Sequence, residues 1–94
     1  MNNALIKYIE SAIFLIYEKH IQHHGLDHIK YVIRRSLDFA NQVTDQTIDR
    51  DMVYTIAAFH DIGMVKNRDT HELVGAQMLL ADTTLPQFFT PDQM

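Results

Sequence analysis

The sequence predicts an all-α fold, and three observations lead to this prediction. Apolar residues recur at three- and four-residue steps along most of the 94 residues. No segment alternates apolar and polar residues for long enough to form a strand. The apolar share of 47% and the charged share of 21% are typical of a globular protein. Since a chain of this length holds one compact unit, we expect residues 1–94 to form a single helical domain.

The first two predicted helices are separated by Gly25, which interrupts the apolar pattern. Residues 2–20 form the first helix, with an apolar stripe at Leu5, Ile9, Ile13 and Ile16. The second helix runs from about residue 26, with a stripe at Ile29, Ile33, Leu37, Ala40 and Val43. Both helices are amphipathic, so each is expected to bury one side.

Two further helices are predicted after a polar turn at residues 44–47. The third has Asp49 and Asp51 in its first turn, where negative charge suits the helix N-terminus, and Gly63 is well placed to end it. The fourth starts near Asp69, which has capping-box spacing to Glu72. The apolar stripe of the fourth helix, which we expect to face the core, consists of Leu73, Ala76 and Leu80.

The end of the chain has the pattern of another helix start. Thr90 is a common N-cap residue, Pro91 suits the first helical position, and Gln93 can close a capping box. Because the chain stops one residue later, we expect it to be the N-terminal portion of a longer protein. In that case the helical bundle lacks its C-terminal helices.

The composition excludes several classes of function. Eight Lys and Arg against twelve Asp and Glu give a net charge of -4, which argues against a nucleic-acid scaffold. The chain has no cysteine, so a metal site would need His, Asp or Glu ligands. The longest apolar run, residues 12–16, is too short to cross a bilayer. We therefore expect a cytoplasmic protein with no membrane role.

Six histidines are the unusual feature of this composition. His60 continues the apolar stripe of the third helix, and Asp61 follows it directly. His28 lies in the first turn of the second helix, so antiparallel packing of these helices would set it beside His60 and Asp61. Two imidazoles and a carboxylate suit Fe, Mn, Zn, Co or Ni and leave positions open for water, and Mg is a further candidate among the divalent ions. A buried histidine bonded to a backbone carbonyl is the simpler alternative for His60.

Three stretches together resemble a known family. They are HGLDHIKYV at 24–32, AAFHDIG at 57–63 and HELVGA at 71–76. In this order they are similar to the HD-domain superfamily of metal-dependent phosphohydrolases, over a little more than half of the chain. The resemblance implies that His28, His60 and Asp61 are metal ligands. It also implies that His71 binds a second ion or lies near the substrate phosphate.

The resemblance further implies a reaction. One or two divalent ions would activate a water that attacks phosphorus in a phosphomonoester or phosphodiester. We expect the substrate to be a phosphorylated small molecule, a nucleotide. Asp61 would be the catalytic residue, because it can orient the attacking water. His24, Lys66 and Arg68 are candidates for contacting the anionic substrate. An exposed loop position is the simpler explanation for Lys66 and Arg68, and for His24 the two explanations are equally simple.

Two other functions remain open at this stage. Some relatives use two irons to oxidise a substrate, so a di-iron oxygenase is one alternative. A non-catalytic module that binds metal or pairs with a second copy is the other. The further Asp ligand of the family has no match after Ala81, so we expect this chain by itself to be inactive. An uncovered core face would also favour a homodimer.

Overall fold

The computed structural model describes residues 1–21, 25–43 and 48–93 and confirms the all-α prediction. Its α-helices are α1 (Asn3–Tyr8), α2 (Phe14–His20), α3 (Gly25–Gln42), α4 (Arg50–Phe59) and α5 (His71–Ala81). Short 3-10 turns lie at Ile62–Val65, Leu85–Gln87 and Pro91–Gln93, and no strand occurs in the described residues. The predicted turn at 44–47 lies outside them. Within the same residues, no helix has the length and apolar character needed to cross a membrane.

Helices α1 and α2 are continuous because a π-helical turn, Ile9–Ile13, joins them. In this turn the N–H of Phe14 donates to the carbonyl of Ile9, five residues earlier. The most deeply buried residues of this continuous helix recur every four positions and are Leu5, Ile9, Ile13 and Tyr17, and Phe14 is buried beside them. Four exceeds the 3.6 residues of an α-helical turn, so a regular α-helix would rotate this stripe away from the core. The wider π turn keeps the stripe facing inward.

The core forms where α3 and α4 pack against each other and against the N-terminal helix. Ile29 and Ile33 are buried on α3, as the apolar stripe predicts. Asp49 caps α4, because its side chain accepts a hydrogen bond from the N–H of Met52 at 3.1 Å. This start of the third predicted helix is therefore confirmed.

The end of that helix differs from the prediction. Helix α4 stops at Phe59, and Gly63 lies inside the 3-10 turn Ile62–Val65, which packs against α5. A Cβ atom built at Gly63 would stand 2.1 Å from the carbonyl oxygen of His71. Gly63 thus marks a close approach of two backbones rather than a helix end.

The fourth predicted helix begins close to the expected position, but the predicted capping box is absent. Thr70 is the N-cap of α5, and its side chain makes no capping hydrogen bond. The side chain of Asn67 instead accepts hydrogen bonds from the N–H groups of Asp69 and Thr70, at 2.9 and 3.3 Å. This Asn-centred turn leads the chain into α5 in place of the expected Asp69–Glu72 capping box.

The outer side of α5 carries the residues expected in the core. Leu73 and Leu80 are 62% and 60% exposed, and Ala76 is exposed between them. Helix α5 packs on the Ile62–Val65 turn and on α4 through its opposite side, where Gly75 is buried. The stripe Leu73–Ala76–Leu80 is therefore a surface feature in the described part of the chain.

The segment after α5 contributes to the core, which the sequence did not indicate. Leu85 and Phe89 are buried. Asp82 holds this segment, since its side chain accepts hydrogen bonds from the N–H of Leu85 at 2.9 Å and from the Tyr8 hydroxyl. Burial raises the pKa of Tyr8 to about 12, and the nearby carboxylate of Asp82 adds to the effect.

The helix start predicted at Thr90 is present as a single 3-10 turn. The side-chain oxygen of Gln93 accepts a hydrogen bond from the N–H of Thr90 at 2.7 Å. This is one half of a capping box, with Pro91 at the first position as predicted.

Candidate metal centre

His60 and Asp61 follow directly on the last residue of α4. His60 is the C-cap, and its Nδ1 lies 2.7 Å from the carbonyl oxygen of Ala57. Its Nε2 lies 3.1 Å from Oδ2 of Asp61. The helix end therefore presents an imidazole and a carboxylate side by side, and the side chain of Asp61 is only 17% exposed.

His28 reaches the same point from the first turn of α3. Its Nε2 lies 3.6 Å from Oδ2 of Asp61, and its ring centroid lies 5.8 Å from that of His60. One ligand atom from each of the three residues lies within 4.8 Å of the other two. The antiparallel packing of α3 and α4 thus brings together the residues that the sequence analysis selected.

His71 meets the other oxygen of the same carboxylate. Its Nε2 lies 3.4 Å from Oδ1 of Asp61 and 3.6 Å from Oε1 of Glu72. Its Nδ1 lies 2.8 Å from the carbonyl oxygen of Arg68. Asp61 therefore faces His28 and His60 with one oxygen and His71 with the other.

The hydrogen bonds of His60 and His71 determine which ring nitrogen of each is free to bind a metal ion. A carbonyl oxygen only accepts hydrogen bonds, so Nδ1 of His60 and of His71 carries the proton in the bonds just described. In a neutral ring, Nε2 then presents a lone pair towards Asp61. The lone pairs on these Nε2 atoms and the carboxylate of Asp61 repel one another, whereas a cation placed between them would be attracted by each of them. This donor set therefore fits a divalent metal ion.

Tyr17 is a residue near this centre whose contribution the sequence analysis missed. Its buried hydroxyl donates to the carbonyl oxygen of Ala58, in the last turn of α4, at 2.7 Å. Burial raises the pKa of Tyr17 well above its usual value, while a hydrogen bond from the backbone of Asp61 opposes this shift. Tyr17 thus binds the backbone on which Asp61 is carried. Tyr17 belongs to the buried four-residue stripe of the structure, whereas the predicted stripe continued through Ile16, and nothing in the sequence indicated the partners of its hydroxyl.

Of the three residues predicted to contact the substrate, the two that the structure describes are not part of the cluster around Asp61. His24 lies outside the described residues. Lys66 and Arg68 are both exposed in the segment between the Ile62–Val65 turn and α5. Arg68 contacts the centre through its backbone carbonyl, which accepts the hydrogen bond from His71. A role for Lys66 and Arg68 in substrate binding stays a prediction.

A pocket of about 450 Å³ opens beside the centre. His60, Asp61 and His71 line one part of it. The rest is lined largely by apolar residues of α4 and α5, namely Ile56, Phe59, Gly75, Ala76, Leu79 and Leu80, with Glu72. This combination of a polar cluster and apolar walls is typical of small-molecule sites.

The fold and the cluster define an all-helical domain with a histidine–aspartate centre suited to a metal. A sequence profile described as the HD domain matches residues 25–88, which is more than half of the chain. The chain therefore belongs to the HD-domain family. No curated protein and no solved structure matches it. Membership assigns the chain in general terms to a superfamily of metal-dependent phosphohydrolases whose domains bind divalent metals.

Proposed function

We propose that the intact protein hydrolyses a phosphomonoester or phosphodiester bond of a nucleotide, with one or two divalent ions held at this centre. The observation that supports the proposal most directly is the convergence of His28, His60 and Asp61, within 4.8 Å of one another, in a chain of the HD-domain family. His28, His60 and Asp61 Oδ2 would hold the first ion. His71, which faces Asp61 Oδ1, would hold a second ion or contact the phosphate.

The residues of the chain have distinct tasks in this proposal. A divalent ion supplies Lewis acidity and lowers the pKa of a neighbouring water. Asp61 orients the attacking water by accepting a hydrogen bond from it. The carbonyls of Ala57 and Arg68 keep His60 and His71 turned with Nε2 towards Asp61. Lys66 and Arg68 supply positive charge for an anionic substrate in a chain of net charge -4.

Metal content tests the first part of this proposal. We expect the chain purified without chelator to retain about one Fe, Mn, Ni, Co, Zn or Mg ion, as measured by inductively coupled plasma mass spectrometry. Replacing His60→Ala together with Asp61→Ala removes two ligands, so affinity for the ion should fall more than about tenfold. The control is His20→Ala with Asp92→Ala, which replaces the same residue types at exposed positions outside the cluster.

Hydrolysis tests the second part, in the intact protein carrying the same substitutions. We expect release of phosphate from nucleoside monophosphates to depend on added metal and to be lost in the His60→Ala, Asp61→Ala variant but kept in the control. Unchanged hydrolysis in that variant would refute the proposal. Turnover that needs oxygen and releases no phosphate would instead identify an oxygenase.

A further inference from the structure

The pocket beside the metal centre has two chemically different ends. One end carries the polar groups of His60, Asp61 and His71. The other end is formed by the side chains of Ile56, Leu79 and Leu80, which lie farther along α4 and α5 from His60 and His71, and Phe59 and Ala76 line the pocket between the two ends. Apart from the centre itself, Glu72 is the one charged residue among the described residues that line the pocket. With a divalent ion at the centre, a ligand that filled the pocket would therefore need one anionic end and one apolar end.

The geometry of the two helices gives the size of that ligand. Leu79 follows His71 by eight residues of α5 and lines the same pocket, so the apolar end lies about 12 Å along the helix axis from His71. Ile56 precedes His60 by about one turn of α4 and lines the same pocket. Ala76 lies between the two ends of the pocket, and its small side chain leaves the space open. The length and the volume of about 450 Å³ suit a ring system joined to a phosphate.

We infer that this pocket receives an aromatic ring, so that the preferred substrate is a phosphate ester whose organic part carries an apolar ring. This inference rests on the proposed function, because the metal centre would bind the phosphate. A sugar phosphate at the apolar end would lose hydration of its hydroxyl groups without gaining partners. A ring would instead remove the exposed side chains of Ile56 and Leu80, which are 53% and 60% exposed, from water.

A binding experiment with the chain itself tests this without requiring turnover. The probe is (1-naphthylmethyl)phosphonate, which is not hydrolysed, in the presence of Mn²⁺. The chain contains no tryptophan, so the fluorescence of the naphthyl group can be followed without a protein signal of that kind. We expect the probe to bind at least about tenfold more tightly than inorganic phosphate or glycerol phosphate, measured as competitors.

Three variants separate the pocket from the general surface. Leu80→Glu introduces a charge at the apolar end, and Ala76→Phe fills the space, so each should weaken probe binding about tenfold. Leu73→Glu is the matched control, because Leu73 lies on the same helix with nearly the same exposure and does not line the pocket. It should leave the dissociation constant within about twofold. All three positions are exposed, and circular dichroism would verify that the helices are retained.

The outcomes distinguish this inference from the proposed function. Equal loss of binding in Leu73→Glu and Leu80→Glu would overturn the inference, because the probe would then be binding to any exposed apolar surface. Inorganic phosphate binding as tightly as the probe would also overturn it, while leaving the proposed function intact. The uncharged 1-naphthylmethanol binding as tightly as the phosphonate would contradict the proposed function, and the preference of the pocket for a ring would stand.

Discussion

Asp61 presents its two carboxylate oxygens to different histidines. Oδ2 faces His28 and His60, and Oδ1 faces His71. A carboxylate in this position can bind one ion with each oxygen, which is how a single residue can serve a two-metal centre. The division of the histidines between the two oxygens therefore indicates which residues would serve each ion.

Removing His71 should weaken the binding of the second ion and leave the binding of the first nearly unchanged. In the His71→Ala variant we expect the first equivalent of Mn²⁺ to bind nearly as in the unmodified chain, because His28, His60 and Asp61 Oδ2 are kept. A second equivalent should bind at least about tenfold more weakly, since it would lose its imidazole ligand. Isothermal titration calorimetry on metal-free protein measures both, with His20→Ala as the control. Loss of the first equivalent would show that the four residues form one site.

The glycines of the Ile62–Val65 turn and of α5 determine how closely these two elements approach. A Cβ at Gly63 would lie 2.1 Å from the carbonyl oxygen of His71 and 2.7 Å from the amide nitrogen of Gly75. Both are backbone atoms, so no side-chain rotation can relieve the contact. Since His71 follows in the first turn of α5, this packing also positions the third imidazole of the centre.

Replacing Gly63→Ala should therefore destabilise the fold by about 3 kcal/mol, the upper part of the usual range for overpacking. Gly75→Ala is the comparison, because its Cβ would lie 3.0 Å from the carbonyl oxygen of Phe59, a milder contact. Alanine also favours a helix interior by about 1 kcal/mol over glycine, so this second variant should be close to neutral. Urea unfolding followed by circular dichroism measures both. A Gly63→Ala protein as stable as the parent would contradict the close approach.

The candidate ligands lie on or directly after three helices that are separate in the sequence and meet at the centre. His28 is carried by α3, His60 and Asp61 follow α4, and His71 begins α5. An ion bound to these residues would tie three elements together. Because it binds the folded chain and not the unfolded one, it should stabilise the whole molecule.

Metal removal should accordingly lower the thermal stability. At a free Mn²⁺ concentration of about 100 times the dissociation constant, we expect the free energy of unfolding to rise by about 2.7 kcal/mol. For a domain of this size, that corresponds to roughly 10–20 °C in Tm. Thermal unfolding with Mn²⁺ and with EDTA measures the difference, which should vanish in the His60→Ala, Asp61→Ala variant. Equal Tm values in both solutions would show that the cluster binds no ion tightly.

The association of two copies of this chain into a homodimer stays a prediction. The exposed Leu73 and Leu80 provide an apolar surface on α5, which is the kind of face that associates. Sedimentation velocity over a range of concentrations measures the association, and a monomer throughout would contradict it.

The sequence by itself determined the helices and the chemical types at the centre. Periodicity located α3 and α4, and the spacing of His28, His60 and Asp61 was sufficient to predict that they meet, because antiparallel neighbours bring the start of one helix to the end of the next. Hydrophobic periodicity is a local property, so a sequence reports it directly. Short-range capping is local too, and the helix start at Asp49 was predicted correctly, but the capping box at Asp69 was not.

Only the tertiary structure decided what surrounds these residues. The stripe on α5 has the same pattern whether it faces the core or the solvent, and packing through Gly75 turned Leu73 and Leu80 outward. The close approach at Gly63, the hydrogen bonds of Tyr17 and the burial of Leu85 and Phe89 likewise join residues distant in sequence. Such contacts depend on how whole elements pack, and packing is a property of the assembled chain rather than of any segment.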